Sequence, residues 1–234
     1  MQLSAPIYRL KRQAKRLSQT EKIPLHIALD RLAVEEGFKS WGLLARQHST
    51  DSPGMKLHQQ IKPGELVLLG ARPGQGKTLM SFEFTVAALQ AGKDAVFFTL
   101  EYTEAEVLSH MLEIAPNFEK FRSKLRVDTS DAICASYIID KLTNVSSGSV
   151  IVIDYLQLLD QRREHPSLAD QVRALRLFAT ERKVVIVFIT QIDRHFDTTA
   201  KGVPCLDDVR LPNKLDLNLF SRTCFINNGV IQIE

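Results

Sequence analysis

The segment Gly70-Ala71-Arg72-Pro73-Gly74-Gln75-Gly76-Lys77-Thr78 constrains this chain more than any other, because of what stands on either side of it. It follows the apolar run Leu66 to Leu69 and opens a helical pattern from Thr78 to Gln90. A glycine-rich turn between a buried strand and a helix start aims main-chain N–H groups and the positive end of a helix dipole at one point, which is an anion site. The count from Ala71 through four residues to Gly76-Lys77-Thr78 matches a phosphate-binding loop. The pattern ordinarily begins with Gly, and Gly70, one place earlier, is expected to supply the flexibility that Ala71 lacks. Residues 71 to 79 (Ala71, Arg72, Pro73, Gly74, Gln75, Gly76, Lys77, Thr78 and Leu79) are thus the candidate nucleotide-binding set. Lys77 is placed to reach the β- and γ-phosphates, and the Thr78 hydroxyl to ligate Mg²⁺.

Around this loop, short apolar runs alternate with helical patterns. Leu66 to Leu69, Ala95 to Leu100, Val150 to Ile153 and Val184 to Ile189 read as buried strands. Thr78 to Gln90, Glu104 to Ile114, Ala132 to Thr143 and Ala169 to Glu181 read as the helices between them. Continuous apolar strands alternating with helices predict an α/β fold, a mainly parallel sheet with helices on both faces.

The carboxyl edge of such a sheet is where ligands bind. Val150-Ile151-Val152-Ile153-Asp154 is an apolar strand ending in a carboxylate, so Asp154 is the candidate to hold Mg²⁺ through water. Glu101, after the Ala95 to Leu100 run, suits a general base; its position fits a helix-capping acid equally well. Gln191, at the end of Val184 to Thr190, is the polar residue best placed to sense a γ-phosphate.

Ahead of the main domain, residues 1–50 read as a small, basic helical annex. Its breaks fall at Gln19 to Pro24 and at Gly37. Ile23-Pro24 fits a helix entry with Thr20 a candidate cap, and Leu25, Ala28, Leu29 and Leu32 form an apolar stripe, with Trp41, Leu43 and Leu44 marking a third helix. Arg9, Lys11, Arg12, Lys15, Arg16 and Lys22 face only Glu21 within the first 22 residues, which suits phosphate contacts and equally suits a solvated helix face. Residues 51–64, with Ser52-Pro53-Gly54 and Lys62-Pro63-Gly64, read as a linker, and 65–234 as the main domain.

A composition of 44% hydrophobic and 24% charged residues is that of an ordinary globular chain able to bury a core. No run reaches the ~18 to 20 apolar residues of a membrane span. The three cysteines, Cys134, Cys205 and Cys224, include no CxxC pair and read as core thiols. The expected setting is cytoplasmic, with no membrane contact.

Three stretches together resemble the RecA-like ATPase domain of the DnaB-type replicative DNA helicases: LLGARPGQGKT (Leu68 to Thr78), FFTLE (Phe97 to Glu101) and VIDYLQLL (Val152 to Leu159). TQIDR (Thr190 to Arg194) and PCLDDVR (Pro204 to Arg210) resemble two further stretches of that family, and order and spacing agree over about residues 57 to 226. The resemblance implies a P-loop ATPase using ATP and Mg²⁺. It implies Lys77 and Thr78 on phosphate and metal, Glu101 as catalytic base, Asp154 as the metal-linked carboxylate and Gln191 as γ-phosphate sensor. It further implies single-stranded DNA as partner, homo-oligomerisation into a hexameric ring, and Arg162, Arg163 and Arg194 as candidates for DNA backbone contacts. Family members continue past the strand matching Thr223 to Asn227 into strands that carry a basic finger for the neighbour's ATP, whereas this sequence has no Lys or Arg after Arg222. Two functions are therefore expected to compete: an ATPase of the replicative-helicase type acting on single-stranded DNA, and a nucleotide-switched protein that binds DNA or a partner with little turnover. The annex is the candidate for docking a protein partner.

Overall fold

The computed structural model of the chain describes residues 3–5, 7–49, 52–160, 164–193, 195–196, 202–211, 213, 215–228 and 230–234, with backbone alone for residues 8 and 46–49. The chain divides into two compact units, Met1–Ser52 and Pro53–Glu234.

The first unit holds α1 (Ile7–Glu21), α2 (Leu25–Glu35) and α3 (Trp41–Ser49). Leu10, Ala33 and Leu44 are its buried centre, with Ile7, Phe38 and Trp41 packed around them. Ala14 and Ala28 are also fully buried, small side chains that let helices approach closely. Two expectations for this unit change. Thr20 lies inside the last turn of α1 and caps nothing, whereas α2 is entered through Pro24, where the Ile23-Pro24 pair predicts a helix entry. Leu25 and Leu43, expected on apolar faces, are 42% and 49% exposed, so the contacts of this unit are made by their neighbours Ala28 and Leu44. Arg9, Arg12, Lys15, Arg16 and Lys22 are all exposed, while Glu21 is paired with Arg31 at 2.5 Å.

The second unit opens with α4 (Pro53–Gln60), where the sequence suggested a linker. Proline suits the first turn of a helix, where its missing N–H costs nothing. Leu57 of α4 is fully buried. A Cβ on Gly54 would lie 2.5 Å from the backbone nitrogen of Phe84 and 2.7 Å from the carbonyl oxygen of Met80. Gly54 is therefore a contact glycine where α4 crosses α5 (Lys77–Gln90), a role that its sequence context disguises as a turn.

The strands are β1 (Leu66–Ala71), β2 (Ala95–Thr99), β3 (Leu125–Asp128), β4 (Val150–Asp154), β5 (Val185–Gln191), β6 (Arg222–Asn227) and β7 (Val230–Ile233), in the order β3-β2-β4-β5-β1-β6-β7. All neighbours are parallel except β6 and β7. Successive side chains of a strand face opposite ways, and here both faces are buried. Leu66, Leu68, Val96, Phe98, Ile151, Ile153, Ile186 and Phe188 share one core with residues of α7 (Ala135–Lys141) and α8 (Leu168–Arg182). Val67, Leu69, Phe97, Val150, Val152, Val187 and Ile189 share the other with α4, α5 and α6 (Glu104–Ile114). This two-sided burial is why the strands read as continuous apolar runs. Among the described residues no helix is long and apolar enough to cross a membrane. Cys134 and Cys224 are buried, the latter thiol pushed up to about 12 by burial, but Cys205 is exposed and does not belong to the core.

Candidate functional site

The sheet order sets β2, β4, β5 and β1 side by side, so the ends of these four strands bring together the residues singled out in the sequence. Asp154, the last residue of β4, pairs with Thr99, the last of β2. Gln191, the last residue of β5, pairs with Ala71, the last of β1. Glu101 stands two residues beyond β2, and its N–H donates to Thr99 Oγ1 at 3.0 Å. Glu101 does not cap α6. Thr103 does, in a reciprocal capping box with Glu106, which leaves the Glu101 carboxylate exposed at the sheet edge.

The loop after β1 takes the shape its glycines permit. Gly74 has φ +76° and Gly76 φ +96°, both in the region that side-chain-bearing residues avoid. A Cβ on Gly74 would meet nothing within 4 Å among the described residues, so backbone conformation and not space demands glycine there. Gly76 caps α5, whose first two residues are Lys77 and Thr78. Gly70 departs from its expected role. It lies within β1, and a Cβ would stand 2.7 Å from the Phe225 ring on β6. Close packing between neighbouring strands, not flexibility, requires glycine at that position. Ala71 is likewise a buried strand residue, and the loop proper is Arg72 to Gly76. On the other flank, Gln75 Oε1 accepts the backbone N–H of Asn228 at 2.8 Å, a contact that no sequence pattern announces.

Electrostatically, Asp154 is the unusual group. Its side chain is fully buried, and among the described residues neither carboxylate oxygen has a hydrogen-bond partner. Burial pushes its pKa up to about 7, the nearby Glu101 carboxylate adds to the rise, and Lys77 opposes it. A buried carboxylate with both oxygens unsatisfied is a costly arrangement unless a cation or proton completes it. Lys77 at the start of α5 acts on this carboxylate electrostatically and Thr78 follows it in the helix, a donor set that fits a hydrated Mg²⁺ bound to phosphates. Tyr102, which no sequence motif singles out, belongs here too. Burial, followed by the charges of Asp154 and Glu101, raises its pKa above the ordinary tyrosine value. Its place directly after Glu101 is the one signal the sequence holds for it. Arg162, Arg163 and Arg194 lie outside the described residues.

A family model described as "ATPase: KaiC" matches residues 53–206, which start where the second compact unit starts. The chain belongs to the KaiC ATPase family. Its curated relatives carry the likeness read from the motifs. The replicative DNA helicase DnaB of Leifsonia xyli subsp. xyli is 27% identical over 187 residues, 66% of this chain and 41% of the relative. The DnaB of Mycoplasma genitalium is 26% identical over 64% of this chain and 39% of the relative. This KaiC-family chain thus spans about two fifths of the length of those helicases. Among solved structures, a DnaB-like replicative helicase studied with its interactions with primase covers 93% of this chain and 64% of its own, with TM-score 0.59 and 16% identity. A second solved structure, an isolated ATPase domain, covers 72% of this chain and 75% of its own, with TM-score 0.52 and 19% identity. These two likenesses show the RecA-like fold of the KaiC-family domain.

Proposed function

We propose that the chain binds ATP with Mg²⁺ at the loop after β1, hydrolyses it, and couples the cycle to single-stranded DNA in the manner of a replicative-helicase ATPase. The observation behind this reading is the buried, unpartnered Asp154 carboxylate beside Lys77 and Thr78. Mg²⁺ would be held by Thr78 directly and by Asp154 through water, and would neutralise developing charge on the phosphates. Lys77 binds the β- and γ-phosphates. The Arg72 to Gly76 loop cradles them, with Ala71 and Leu79 closing the ends of the set. Glu101, exposed at the strand edge, takes the proton of the attacking water, and Gln191 orients on the γ-phosphate from β5.

Partners are assigned on resemblance and charge. The relatives are replicative helicases, which makes single-stranded DNA the proposed polymer and a homo-oligomer, a hexamer, the proposed assembly. Arg162, Arg163 and Arg194 are the proposed backbone contacts, each neutralising a phosphate. The first unit, residues 1–52, carries nine Lys and Arg against five Asp and Glu, so the chain's basic excess of +3 resides there. That unit is the proposed second contact, to nucleic acid or to a protein partner.

The test is steady-state ATP hydrolysis by the purified chain with and without single-stranded DNA, with Lys77→Ala as the blank. Turnover above the blank that rises with DNA is the expected result. Tight ATP binding with no turnover in either condition would replace this reading with that of a nucleotide-switched binding protein.

A further inference from the structure

The solvent side of α1 carries charge that the fold itself does not use. Leu10 and Ala14 are buried and Ile7 packs beside Leu10, so one side of the helix is committed to the centre of the first unit. With about 3.6 residues per turn, the opposite side is set by Arg9, Arg12, Lys15 and Arg16, all of them exposed. Gln13, Gln19 and Thr20 share that side and are exposed as well. Its described residues thus include four cations, no acid and no apolar side chain.

This arrangement works against the helix. Arg9 and Arg12 are three residues apart and Arg12 and Arg16 four, spacings at which like charges repel. A helix favours acids in its first turn and bases in its last. In α1 the first turn has no acid and the last no base, while Arg9 is the third residue and Glu21 the final one. Nor is the charge neutralised from elsewhere. Arg31, Arg122 and Arg173 are paired with Glu21, Glu104 and Asp170, whereas among the described residues none of the four α1 cations has a side-chain ion pair or hydrogen bond. Uncompensated cations held against the helix's own charge preference point outward, to an anion that is not part of this chain.

The chemistry of the face narrows that anion. Protein partners are gripped by aromatic and apolar anchors, which are missing from its described residues. A bilayer surface takes up a helix by its apolar side, and that side of α1 is already packed through Leu10 and Ala14. Single-stranded nucleic acid is ordered on aromatic platforms, again missing here among the described residues. A duplex needs none of these. Its phosphates are already fixed in space, at one charge per about 1.7 Å of axis. The rigid row from Arg9 to Arg16 is about 10 Å long, close to the ~12 Å of the major groove that phosphates border.

We propose that the Arg9, Arg12, Lys15 and Arg16 face of α1 binds the phosphate backbone of double-stranded DNA without regard to sequence. The inference commits the contact left open for the first unit to one polymer, and it stands apart from the nucleotide reading because it requires no ATP.

The experiment is fluorescence anisotropy with the full chain, without nucleotide, on a short labelled duplex and on one of its strands over a range of salt concentrations. Wild type is compared with the variant Arg9→Gln/Arg12→Gln/Lys15→Gln/Arg16→Gln. A control removes the same charge from exposed positions of the second unit, Lys120→Gln/Arg126→Gln/Arg176→Gln/Arg182→Gln. In the α1 variant duplex affinity should fall about tenfold or more near 50 mM salt, and the slope of log affinity against log salt should become shallower by about 3 to 4, as for four phosphate contacts. The control should stay within about threefold of wild type on the same scale. An equal loss in the control would overturn the inference, because net charge and not this face would be responsible. A loss larger on the single strand than on the duplex would overturn it, as would a wild type that does not bind the duplex. The α1 variant should melt no lower than wild type, since it relieves repulsion; a clearly lower midpoint would assign the cations to the fold and sink the inference. With nucleotide absent throughout, these outcomes leave the ATP site untouched, and a chain that failed to hydrolyse ATP would leave the duplex contact standing.

Discussion

Asn228 donates its backbone N–H to Gln75 Oε1 at 2.8 Å, tying the turn between β6 and β7 to the glycine-rich loop after β1 across 153 residues of sequence. The bond is exposed, so its net contribution to stability is small, about 0.5 to 1 kcal/mol. Its effect is local. Gln75→Ala should leave the unfolding midpoint nearly unchanged while the Asn228 amide exchanges with solvent faster. Hydrogen exchange read by NMR or mass spectrometry checks this, and unchanged exchange at Asn228 would show that another group holds the turn.

Asp154 makes the folded chain sensitive to pH. Its carboxyl has an ordinary value of 3.8 and titrates near 7 when folded, mainly because of burial. Between those values the folded state holds a proton that the unfolded state has lost. Stability contributed by this group is therefore complete below about pH 4, falls as pH rises toward 7 and is gone above it, at about 1.4 kcal/mol per pH unit. Asp154→Asn should abolish this dependence. Without nucleotide or metal, it should melt higher than wild type at pH 8 and close to it at pH 4, even as it loses Mg²⁺-dependent hydrolysis. Equal melting shifts at both pH values would remove the carboxylate as the cause.

Glu101 is exposed and does not cap α6, so its replacement should spare the fold. Glu101→Gln is expected to lower turnover by about 100-fold or more, the scale of a lost general base, with ATP affinity within about twofold of wild type on the same order-of-magnitude footing. Equilibrium binding and single-turnover hydrolysis measured side by side separate the two. Wild-type turnover in the variant would remove Glu101 from the proposed role.

Gly54 packs against the backbone of α5, where Phe84 N and Met80 O stand 2.5 Å and 2.7 Å from the place an added Cβ would occupy. Backbone atoms cannot rotate aside as a side chain can. Gly54→Ala should therefore destabilise the second unit by about 2 kcal/mol or more, at the upper part of the range for overpacking. Urea unfolding measures it. A loss smaller than about 0.5 kcal/mol would mean that α4 shifts freely on α5.

Legibility followed burial. The central strands β1, β2, β4 and β5 are buried on both faces, so their sequences are unbroken apolar runs that can be read without a structure. The edge strand β3 spans four residues, only Leu125 of them buried, and leaves no such trace. The helix α4 was hidden by Pro53 and Gly54, residues that usually mark turns but here serve a helix start and a close helix crossing.

The candidate site divides along the same line. The glycine-rich loop between strand and helix, the strand that carries Asp154 and the placement of Glu101 and Gln191 at strand ends are all legible in the linear chain, because each depends on a few consecutive residues and on the alternation of strand and helix. Three-dimensional packing alone leaves Asp154 buried with both oxygens unpartnered among the described residues, makes Gly70 give room to Phe225, and brings Gln75 to Asn228. Those relations join residues far apart in the chain. They arise from strand order and helix packing, which no local stretch of sequence encodes.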